Sequence, residues 1–436
     1  MNTIFKEPLL ADWKEIITRP VMDLKSLEEI VLPVLNEIKT DGDTAVKKYA
    51  LQFEGVLPTD LKIRESEIAN AGSQLSEELK NAILLAKENI TKFHSAQVQS
   101  IQKIETTNGV TCWRKAVAID NVGLYIPGGS APLFSTLLML AIPAQIAGCK
   151  NIFVCTPVDK TGKVHPAVLY TASLLGLKNI FAVGGIQAIA AMAYGTETIG
   201  KVNKIFGPGN QYVTCAKQLI NREGIAIDMP AGPSEVLVYA DETAVPAFVA
   251  ADLLSQAEHG ADSQVILVAT SENIIEEVKS NIESQLANLP RKEIAEKALT
   301  HSRMVVFENP DTAFDFINEY AAEHLIIASE NAVELADKVR NAGSVFLGNY
   351  SPESVGDYAS GTNHTLPTNG YAKAYSGVSV DSFIKQITFQ QLSQQGIHNI
   401  GPAVETMAAA EGLEGHKNAV TVRLNYNPAK TSENES

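Results

Sequence analysis

The segment from residue 250 to residue 260 ends in two side chains that could bind one metal ion. Its apolar residues recur at helical spacing, and Gly260 supplies a helix-ending signal. Gln256 and His259 are three residues apart, so both would lie on one face of the last turn. A histidine at a helix end is more often a simple cap of the helix dipole, and the pair alone does not decide between these interpretations.

Further ligand candidates lie far along the chain. Asp357 is in a polar loop, and His416 follows a glycine. Zinc or a similar ion accepts nitrogen and oxygen ligands of these types. The spacing exceeds that of any compact metal motif, and the pattern alone selects neither Asp357 over Asp262 nor His416 over His364.

The adjacent pair Glu323-His324 places a carboxylate beside an imidazole, where a helical pattern gives way to a β-branched run. Histidine titrates near neutral pH and a glutamate can take a proton from water, so the pair could carry out proton transfer. A purely structural role is the alternative. The pair also precedes a predicted strand, whereas open parallel sheets usually bind ligands at the carboxyl ends of their strands.

Three glycine-rich turns end predicted strands, at residues 127–129, 184–185 and 207–209, with the sequences Pro-Gly-Gly, Gly-Gly and Gly-Pro-Gly. Such turns bring the backbone close to a ligand and let helix N-termini face a phosphate. None fits GxGxxG, and each could be only a tight turn. Together they make a nucleotide-type ligand as plausible as three structural turns.

The helices and strands that must position these residues are predicted to alternate, as in α/β proteins. Residues 24–100 carry helical apolar spacing. Beyond them, short β-branched runs alternate with glycine turns and helical stretches, which is typical of parallel sheets with crossover helices. A Pro- and Gly-rich segment at 229–234 separates two such series, so the sequence predicts two α/β bodies. The predicted strands are 117–126, 151–155, 179–183 and 204–206 before that segment, and 235–239, 264–269, 304–307, 324–328 and 344–346 after it.

The bulk composition excludes several classes of partner. A chain of 436 residues usually forms two or more domains. Its 35 Lys and Arg against 50 Asp and Glu give a net charge of −15 with no basic patch, so we expect neither nucleic acid nor a membrane surface as a partner.

The absence of a targeting signal and the scattered cysteines predict a cytoplasmic location. The N-terminus lacks a signal-peptide pattern, and no apolar run reaches the roughly 18 residues of a membrane span. We interpret the four scattered cysteines as reduced, packed thiols. The polar residues 430–436 are predicted to be disordered. The cysteines are Cys112, Cys149, Cys155 and Cys215.

Eight segments, taken in order, resemble the histidinol dehydrogenase family, and their spacing matches over nearly the whole chain. The resemblance implies a cytoplasmic NAD-dependent enzyme with one zinc ion per active site. It would oxidise L-histidinol to L-histidine through L-histidinaldehyde, the last steps of histidine biosynthesis, using two molecules of NAD in succession. The segments are GLYIPGG (123–129), VGGIQAIAAMAYGTE (183–197), FGPGNQYV (206–213), AGPSEVLV (231–238), LLSQAEHG (253–260), AAEHL (321–325), VGDYASGTNHTLPT (355–368) and EGLEGHKNAV (411–420).

The resemblance also implies the roles of individual residues. His324 would be the general base for the alcohol, and Glu323 would activate the water that attacks the aldehyde. The zinc ligands would be Gln256, His259, Asp357 and His416. The substrate contacts would be Ser234, Gln256, His259, His324, Asp357, Glu411 and His416. The NAD contacts would be Tyr125, Gln187 and Asn210.

The fold implied by the resemblance is α/β, with two incomplete Rossmann-like parallel-sheet domains and small N- and C-terminal extensions in a domain-swapped homodimer. Glu411 and His416 would then serve the partner's active site. The expected domains are an N-terminal extension at 1–22, a first α/β domain at 23–121 plus 234–377 with the zinc and catalytic residues, a second, NAD-binding α/β domain at 122–233, and a swapped C-terminal tail at 378–436.

Two other classes of protein compete with this one. A zinc hydrolase would use the same ligands with Glu323 as its base, but it would leave the glycine turns without a role. A non-catalytic sensor or structural protein of the same fold would be expected to lack Glu323, His324 or a ligand, and the chain has them all.

Overall fold

The strands belong to two parallel sheets and one antiparallel sheet. A computed structural model describes residues 3–20, 24–128, 132–230 and 232–426. Its strands are β1 (Ile4–Lys6), β2 (Lys103–Thr107), β3 (Val110–Ala118), β4 (Asn121–Tyr125), β5 (Asn151–Thr156), β6 (Asn179–Ala182), β7 (Lys204–Phe206), β8 (Ala226–Ile227), β9 (Glu235–Ala240), β10 (Gln264–Ala269), β11 (Arg303–Val306), β12 (His324–Ala328), β13 (Ser344–Leu347) and β14 (Ile384–Leu392).

The helices connect and cover these strands. They are α1 (Leu10–Ile16), α2 (Leu24–Glu54), α3 (Glu65–Asn70), α4 (Glu77–Ser95), α5 (Phe134–Ala147), α6 (Pro166–Leu174), α7 (Gly185–Tyr194), α8 (Gln211–Arg222), α9 (Pro246–Ala257), α10 (Glu272–Leu286), α11 (Lys292–Thr300), α12 (Pro310–Tyr320), α13 (Ala332–Ala336), α14 (Glu353–Tyr358), α15 (Gln394–Ala410) and α16 (Glu414–Leu424). Short 3₁₀ turns lie at Ala71–Gln74, Tyr371–Lys373 and Val380–Phe383.

The six-stranded sheet has the order β1-β11-β10-β9-β12-β13, and all its pairs are parallel. Helices α9, α10 and α11 cover one face, and α1, α12 and α13 cover the other. Strands β9, β10 and β12 are buried along their whole length, as in parallel sheets with helices on both faces. This sheet carries the Glu323-His324 pair.

The five-stranded sheet has the order β6-β5-β4-β7-β8 and is also parallel. Helices α4, α5 and α6 pack on one face, and α2, α7 and α8 pack on the other. Helix α2 is interrupted at Gly42 (φ 52°), where the carboxylate of Glu197 accepts a hydrogen bond from the Asp43 N–H at 2.8 Å. The prediction of an α/β fold with two parallel sheets is therefore confirmed.

The packing of the first hundred residues differs from the predicted division. Helices α2 and α4 join the core of the five-stranded sheet, whereas the prediction grouped 23–121 with 234–377. The reason is that an apolar helix face does not identify its partner: Leu27 and Val31 of α2 share a core with Ile186 of α7. Strand β1, from the predicted extension at 1–22, pairs with β11 at the edge of the other sheet.

A second compact unit comprises residues Val98–Ala118 and Ile384–Ser436, while both parallel sheets lie in the first unit, Met1–Gln97 and Ile119–Phe383. In the second unit, β3 pairs antiparallel with β2 and β14, and α15 packs on α16. The sequence analysis did not predict this sheet. The predicted tail at 378–436 covers only part of the unit, and the predicted disorder at 430–436 concerns residues outside the described ranges.

Two smaller predictions concern membranes and cysteines. Among the helices of the described ranges, none combines the length and apolar character that crossing a bilayer requires. The four cysteines are free thiols, and two of them are buried. The cytoplasmic location stays a prediction.

Candidate active site and metal centre

Glu323 and His324 lie at the amino-terminal edge of the six-stranded sheet. Helix α12 ends three residues earlier, Ala321 adopts the left-handed conformation (φ 54°), and β12 begins at His324. His324 is in register with Val236 of β9 and Ser344 of β13. The pair therefore occupies the edge opposite to the one where open α/β sheets usually bind ligands.

The main chain of Glu235, the first residue of β9, holds both side chains. Its N–H donates to Oε2 of Glu323 at 2.9 Å, and its carbonyl oxygen lies 3.1 Å from Nδ1 of His324. Because a carbonyl only accepts, Nδ1 carries the proton of that bond, and in the neutral ring Nε2 is the free base. Nε2 is buried and has no hydrogen-bond partner among the described residues. The imidazole is thus oriented to accept a proton from a bound molecule.

The side chain of Glu235 is itself anchored. Arg19 donates two hydrogen bonds to the Glu235 carboxylate, with Nε 2.5 Å from Oε1 and Nη2 2.9 Å from Oε2. The Asn369 N–H donates to Oε1 at 2.7 Å. The Arg19 guanidinium also lies 4.0 Å from the ring centre of Tyr320 and donates to its carbonyl. This network fixes the start of β9, and with it the two hydrogen bonds to the catalytic candidates.

Three carboxylates surround His324. Nδ1 is 3.7 Å from Glu323 and 3.9 Å from Glu353, and Nε2 is 3.6 Å from Asp357. Burial alone lowers the pKa of His324, but the charges of Glu353 and Glu323 outweigh it, so that pKa is well above its ordinary value. Burial raises the pKa of Glu323 to about 7 and that of Glu353 to about 8. A cation bound here would offset the excess negative charge.

The residues next to His324 offer a set of metal ligands. Single ligand atoms of His259, Glu353 and Asp357 all lie within 4.8 Å of one another. Gln256 is fully buried in the last turn of α9, and neither its amide oxygen nor its amide nitrogen has a partner in the described part of the chain. An unpaired buried polar group costs about 1–3 kcal/mol, which favours a bound ligand. Nitrogen and oxygen donors of this kind fit zinc.

The structure refines the sequence-based ligand choice. His259 lies in the turn just after α9, since the helix ends at Ala257, yet it remains close to Asp357. His364 has both ring nitrogens within 3.1 Å of partners, Thr136 and the Asp357 carbonyl. It is therefore already engaged by the protein, whereas Oδ1 of Asp357 is buried without a partner among the described residues.

Glu353 was not predicted, although a signal for it exists. It precedes Asp357 by four residues, and positions four apart in a helix share a face. Once Asp357 is placed on α14, the second carboxylate follows. Ser234, a predicted substrate contact, lies directly before β9 and is half-buried.

Glu411 and His416 belong to the second unit. Glu411 follows the last residue of α15, and His416 is in the first turn of α16. Both are exposed in the single chain. Their assignment to the metal and substrate site stays a prediction.

The three predicted NAD contacts line one cavity of about 780 Å³ in the first unit. Tyr125 ends β4 and its hydroxyl accepts a hydrogen bond from the Gly185 N–H at 3.1 Å. Gln187 is fully buried in α7, and Asn210 caps the N-terminus of α8 by accepting from Tyr212 and Val213. The cavity lies at the carboxyl ends of β4 and β5, where such sheets bind nucleotides.

Two of the three glycine turns border this cavity, at Gly128 and at Gly185, while Gly129 lies outside the described residues. Sequence reasoning missed another lining residue, Glu54, the last residue of α2. Its Oε1 accepts from the Gly184 N–H at 3.0 Å and from Nε2 of Gln187 at 2.7 Å. No local motif marks Glu54, because its partners are more than a hundred residues away.

The third turn, at Gly207, is held rigidly by a buried ion pair. Lys217 donates to the Gly207 carbonyl at 2.9 Å, and Asp228 accepts from the Gly207 N–H at 2.8 Å and pairs with Lys217. Gly207 has φ 125°, and a Cβ there would meet the Tyr125 carbonyl oxygen at 2.0 Å. Only glycine fits this turn, which sets the position of Asn210.

Comparison with known proteins identifies the family. A profile of histidinol dehydrogenases matches residues 17–424. The chain is 58% identical to histidinol dehydrogenase of Bacteroides thetaiotaomicron, over 98% of this chain and 99% of the relative. It is 50% identical to the enzyme of Escherichia coli strain K12, over 94% of this chain and 95% of the relative.

A solved structure agrees with the sequence matches. The crystal structure of histidinol dehydrogenase from Elizabethkingia anophelis superposes with a TM-score of 0.94 at 59% identity, covering 97% of this chain and 98% of that one. The chain therefore belongs to the histidinol dehydrogenase family.

Proposed function

We propose that this chain oxidises L-histidinol to L-histidine through L-histidinaldehyde, in two NAD-dependent steps. The observation that carries the proposal is the pair Glu323 and His324, both held by the main chain of Glu235, with Nε2 of the imidazole buried and without a hydrogen-bond partner among the described residues. Each step removes two electrons, and water supplies the second oxygen of the carboxylate. One histidinol, two NAD and one water give one histidine, two NADH and three protons.

In the first oxidation, His324 accepts the proton of the substrate hydroxyl at Nε2. NAD, when bound, would supply the hydride acceptor for both oxidations. The bond between Nδ1 and the Glu235 carbonyl keeps the ring in the orientation that this transfer needs.

In the second oxidation, Glu323 takes a proton from the water that attacks the aldehyde. Burial raises the pKa of Glu323 to about 7, so at neutral pH this carboxylate is balanced between accepting and releasing a proton. The hydrate formed loses its own proton as the second hydride leaves, and the product is the carboxylate.

The proposed zinc ligands in the first unit are Gln256, His259 and Asp357, with Glu353 beside them. Zinc bound there would orient the substrate through its amino and imidazole nitrogens and would offset the charge of the carboxylates. Ser234 and His324 complete the proposed substrate contacts on this unit. Tyr125, Gln187 and Asn210 are the proposed NAD contacts.

We further propose a homodimer in which Glu411 and His416 reach the active site of the partner chain. The support is their exposure in the single chain, together with large exposed apolar side chains on the same helices. Met407 is 65% exposed and Val422 is 53% exposed. A monomer would then lack a zinc ligand and a substrate contact.

The first experiment measures the yield of NADH per histidinol. Two NADH per substrate, abolished by a chelator and restored by zinc, is the expected result. Glu323→Gln should stop after one NADH and release the aldehyde, because only the water step needs this carboxylate. No NADH from the zinc-loaded wild type would refute the proposal, and one NADH from the wild type would refute the second step.

A further inference from the structure

Glu54 occupies a position that phosphate takes in many nucleotide-binding proteins. Free N–H groups and the helix dipole make the N-terminus of a helix following a parallel strand a binding site for anions. In α7 the first two of these N–H groups are taken by the protein itself: Gly184 donates to Oε1 of Glu54 at 3.0 Å, and Gly185 donates to the Tyr125 hydroxyl at 3.1 Å. A phosphate arriving here would meet the Glu54 carboxylate, which already accepts from one of these donors.

The buried side-chain atoms left unpaired at this end of the cavity are acceptors. Oε2 of Glu54 and Oε1 of Gln187 are both buried and have no hydrogen-bond partner among the described residues. The Gln187 side chain is fully buried, and both residues line the 780 Å³ cavity. Buried acceptors require donors, and a ribose hydroxyl donates a hydrogen bond whereas an ionised phosphate only accepts. This part of the cavity therefore matches a sugar diol.

We propose that Glu54 selects the cofactor: it accepts hydrogen bonds from the ribose hydroxyls of NAD and repels the additional 2′-phosphate of NADP. A carboxylate on the ribose 2′-hydroxyl performs this selection in Rossmann folds, where it follows the second strand. Here it comes from the end of α2, a helix packed on the outside of the sheet. The proposal rests on the proposed use of this cavity by NAD.

The effect of the Glu54 charge on the selectivity between NAD and NADP should be large enough to measure. Like charges placed side by side at a binding surface repel each other, so a selectivity change of at least about tenfold is expected when the carboxylate is neutralised. Lys160 also lines the cavity, so a phosphate elsewhere on the dinucleotide has a cationic neighbour.

The test compares wild type, Glu54→Gln and Glu54→Asp in the zinc-loaded enzyme, with NAD and NADP as the two probes. For each variant, kcat/KM is measured at saturating L-histidinol, and the dissociation constants of both dinucleotides are measured by calorimetry. Glu54→Gln should narrow the preference for NAD over NADP by at least about tenfold. Glu54→Asp keeps the charge and should keep the discrimination against NADP.

Glu197→Gln is the matched control. It removes another carboxylate that accepts a backbone N–H near α2, but Glu197 is exposed and does not line the cavity. It should leave the ratio of the two cofactors unchanged. If Glu54→Gln lowers binding of NAD and NADP equally, or changes neither, the proposal is overturned and Glu54 only holds the Gly184 turn.

A separate variant distinguishes failure of this inference from failure of the cavity assignment. Asn210→Ala should weaken NAD binding, because Asn210 lines the cavity and caps α8. If Asn210→Ala binds NAD as tightly as wild type, the cavity is not the NAD site. The assignment of the cavity and the role of Glu54 are then both refuted. If Asn210→Ala weakens NAD binding while Glu54→Gln leaves the cofactor ratio as in wild type, only the role of Glu54 is refuted.

Discussion

Replacing Arg19 by Met tests how the active site is held in place. The Glu235 side chain is only 2% exposed, and Arg19 supplies two of the three hydrogen bonds to its carboxylate. Removing one partner of a buried ion pair leaves an uncompensated charge and costs about 3–5 kcal/mol. We therefore expect Arg19→Met to lower the free energy of unfolding by about that amount at pH 8. The turnover number should also fall, because the Glu235 main chain orients Glu323 and His324.

The sign of the pH dependence follows from the pKa of Glu235. Burial raises this pKa above its ordinary value even though Arg19 lowers it, so loss of Arg19 raises it further. A carboxyl whose pKa is raised on folding binds more protons in the folded state, so stability falls as pH rises from its unfolded toward its folded pKa. The difference in the free energy of unfolding between wild type and Arg19→Met should therefore be largest above the pKa that Glu235 has in the folded variant. It should shrink as the pH falls below that pKa.

The assay is urea unfolding followed by circular dichroism at several pH values from 5 to 8. Arg64→Met is the control, because Arg64 and Asp60 form an exposed pair on the surface, where solvent screening leaves an ion pair with little effect on stability. The double variant Arg19→Met with Glu235→Gln should recover much of the loss, since no charge is then left buried. If Arg19→Met is no less stable than Arg64→Met at pH 8, the anchoring argument is refuted.

Three further predictions concern the catalytic and metal residues. His324→Ala should reduce turnover by about a hundredfold to ten-thousandfold while zinc content, read by atomic absorption, stays near wild type; loss of metal would contradict its role as base. His416→Ala should weaken zinc binding by more than about tenfold, and unchanged zinc occupancy of the dimer would remove it from the ligand set. Because burial raises the pKa of Glu323 to about 7, oxidation of added L-histidinaldehyde should accelerate as pH rises through that value; a flat profile that Glu323→Gln leaves unchanged would argue against water activation by this carboxylate.

The sequence predicts the buried parallel strands well. Strands β7, β10 and β12 have the predicted bounds, because each is a short β-branched run enclosed by polar or glycine residues. The antiparallel sheet of β2, β3 and β14 was missed. Its strands are largely exposed, and β3 pairs with a segment about 270 residues away, a distance that no local pattern spans.

The residues at the sites were predictable to different degrees. Gln256 and His259 could be paired from their spacing alone, whereas Asp357 needed the resemblance to the family. Glu353 could be found only after Asp357 had been placed on the same helix, where the buried residues are Glu353 and Gly356. Glu54 is half-buried, and it was missed because its position comes from the packing of α2, which is set by apolar residues elsewhere on that helix.

The position of the catalytic pair at the amino-terminal edge follows from the register of two neighbouring strands. Strand β12 begins at His324, which is level with Val236, so β12 offers no main-chain acceptor to the Glu235 N–H on that side of β9. The Ser234 carbonyl accepts from the Gln264 N–H on the other side, so Glu235 directs its own N–H and carbonyl toward β12. The N–H would be unsatisfied without the side chain of Glu323, and the carbonyl lies within hydrogen-bond reach of the His324 ring. The requirement to pair this buried N–H thus fixes the orientation of Glu323, and the contact with the carbonyl orients His324, before any ligand binds.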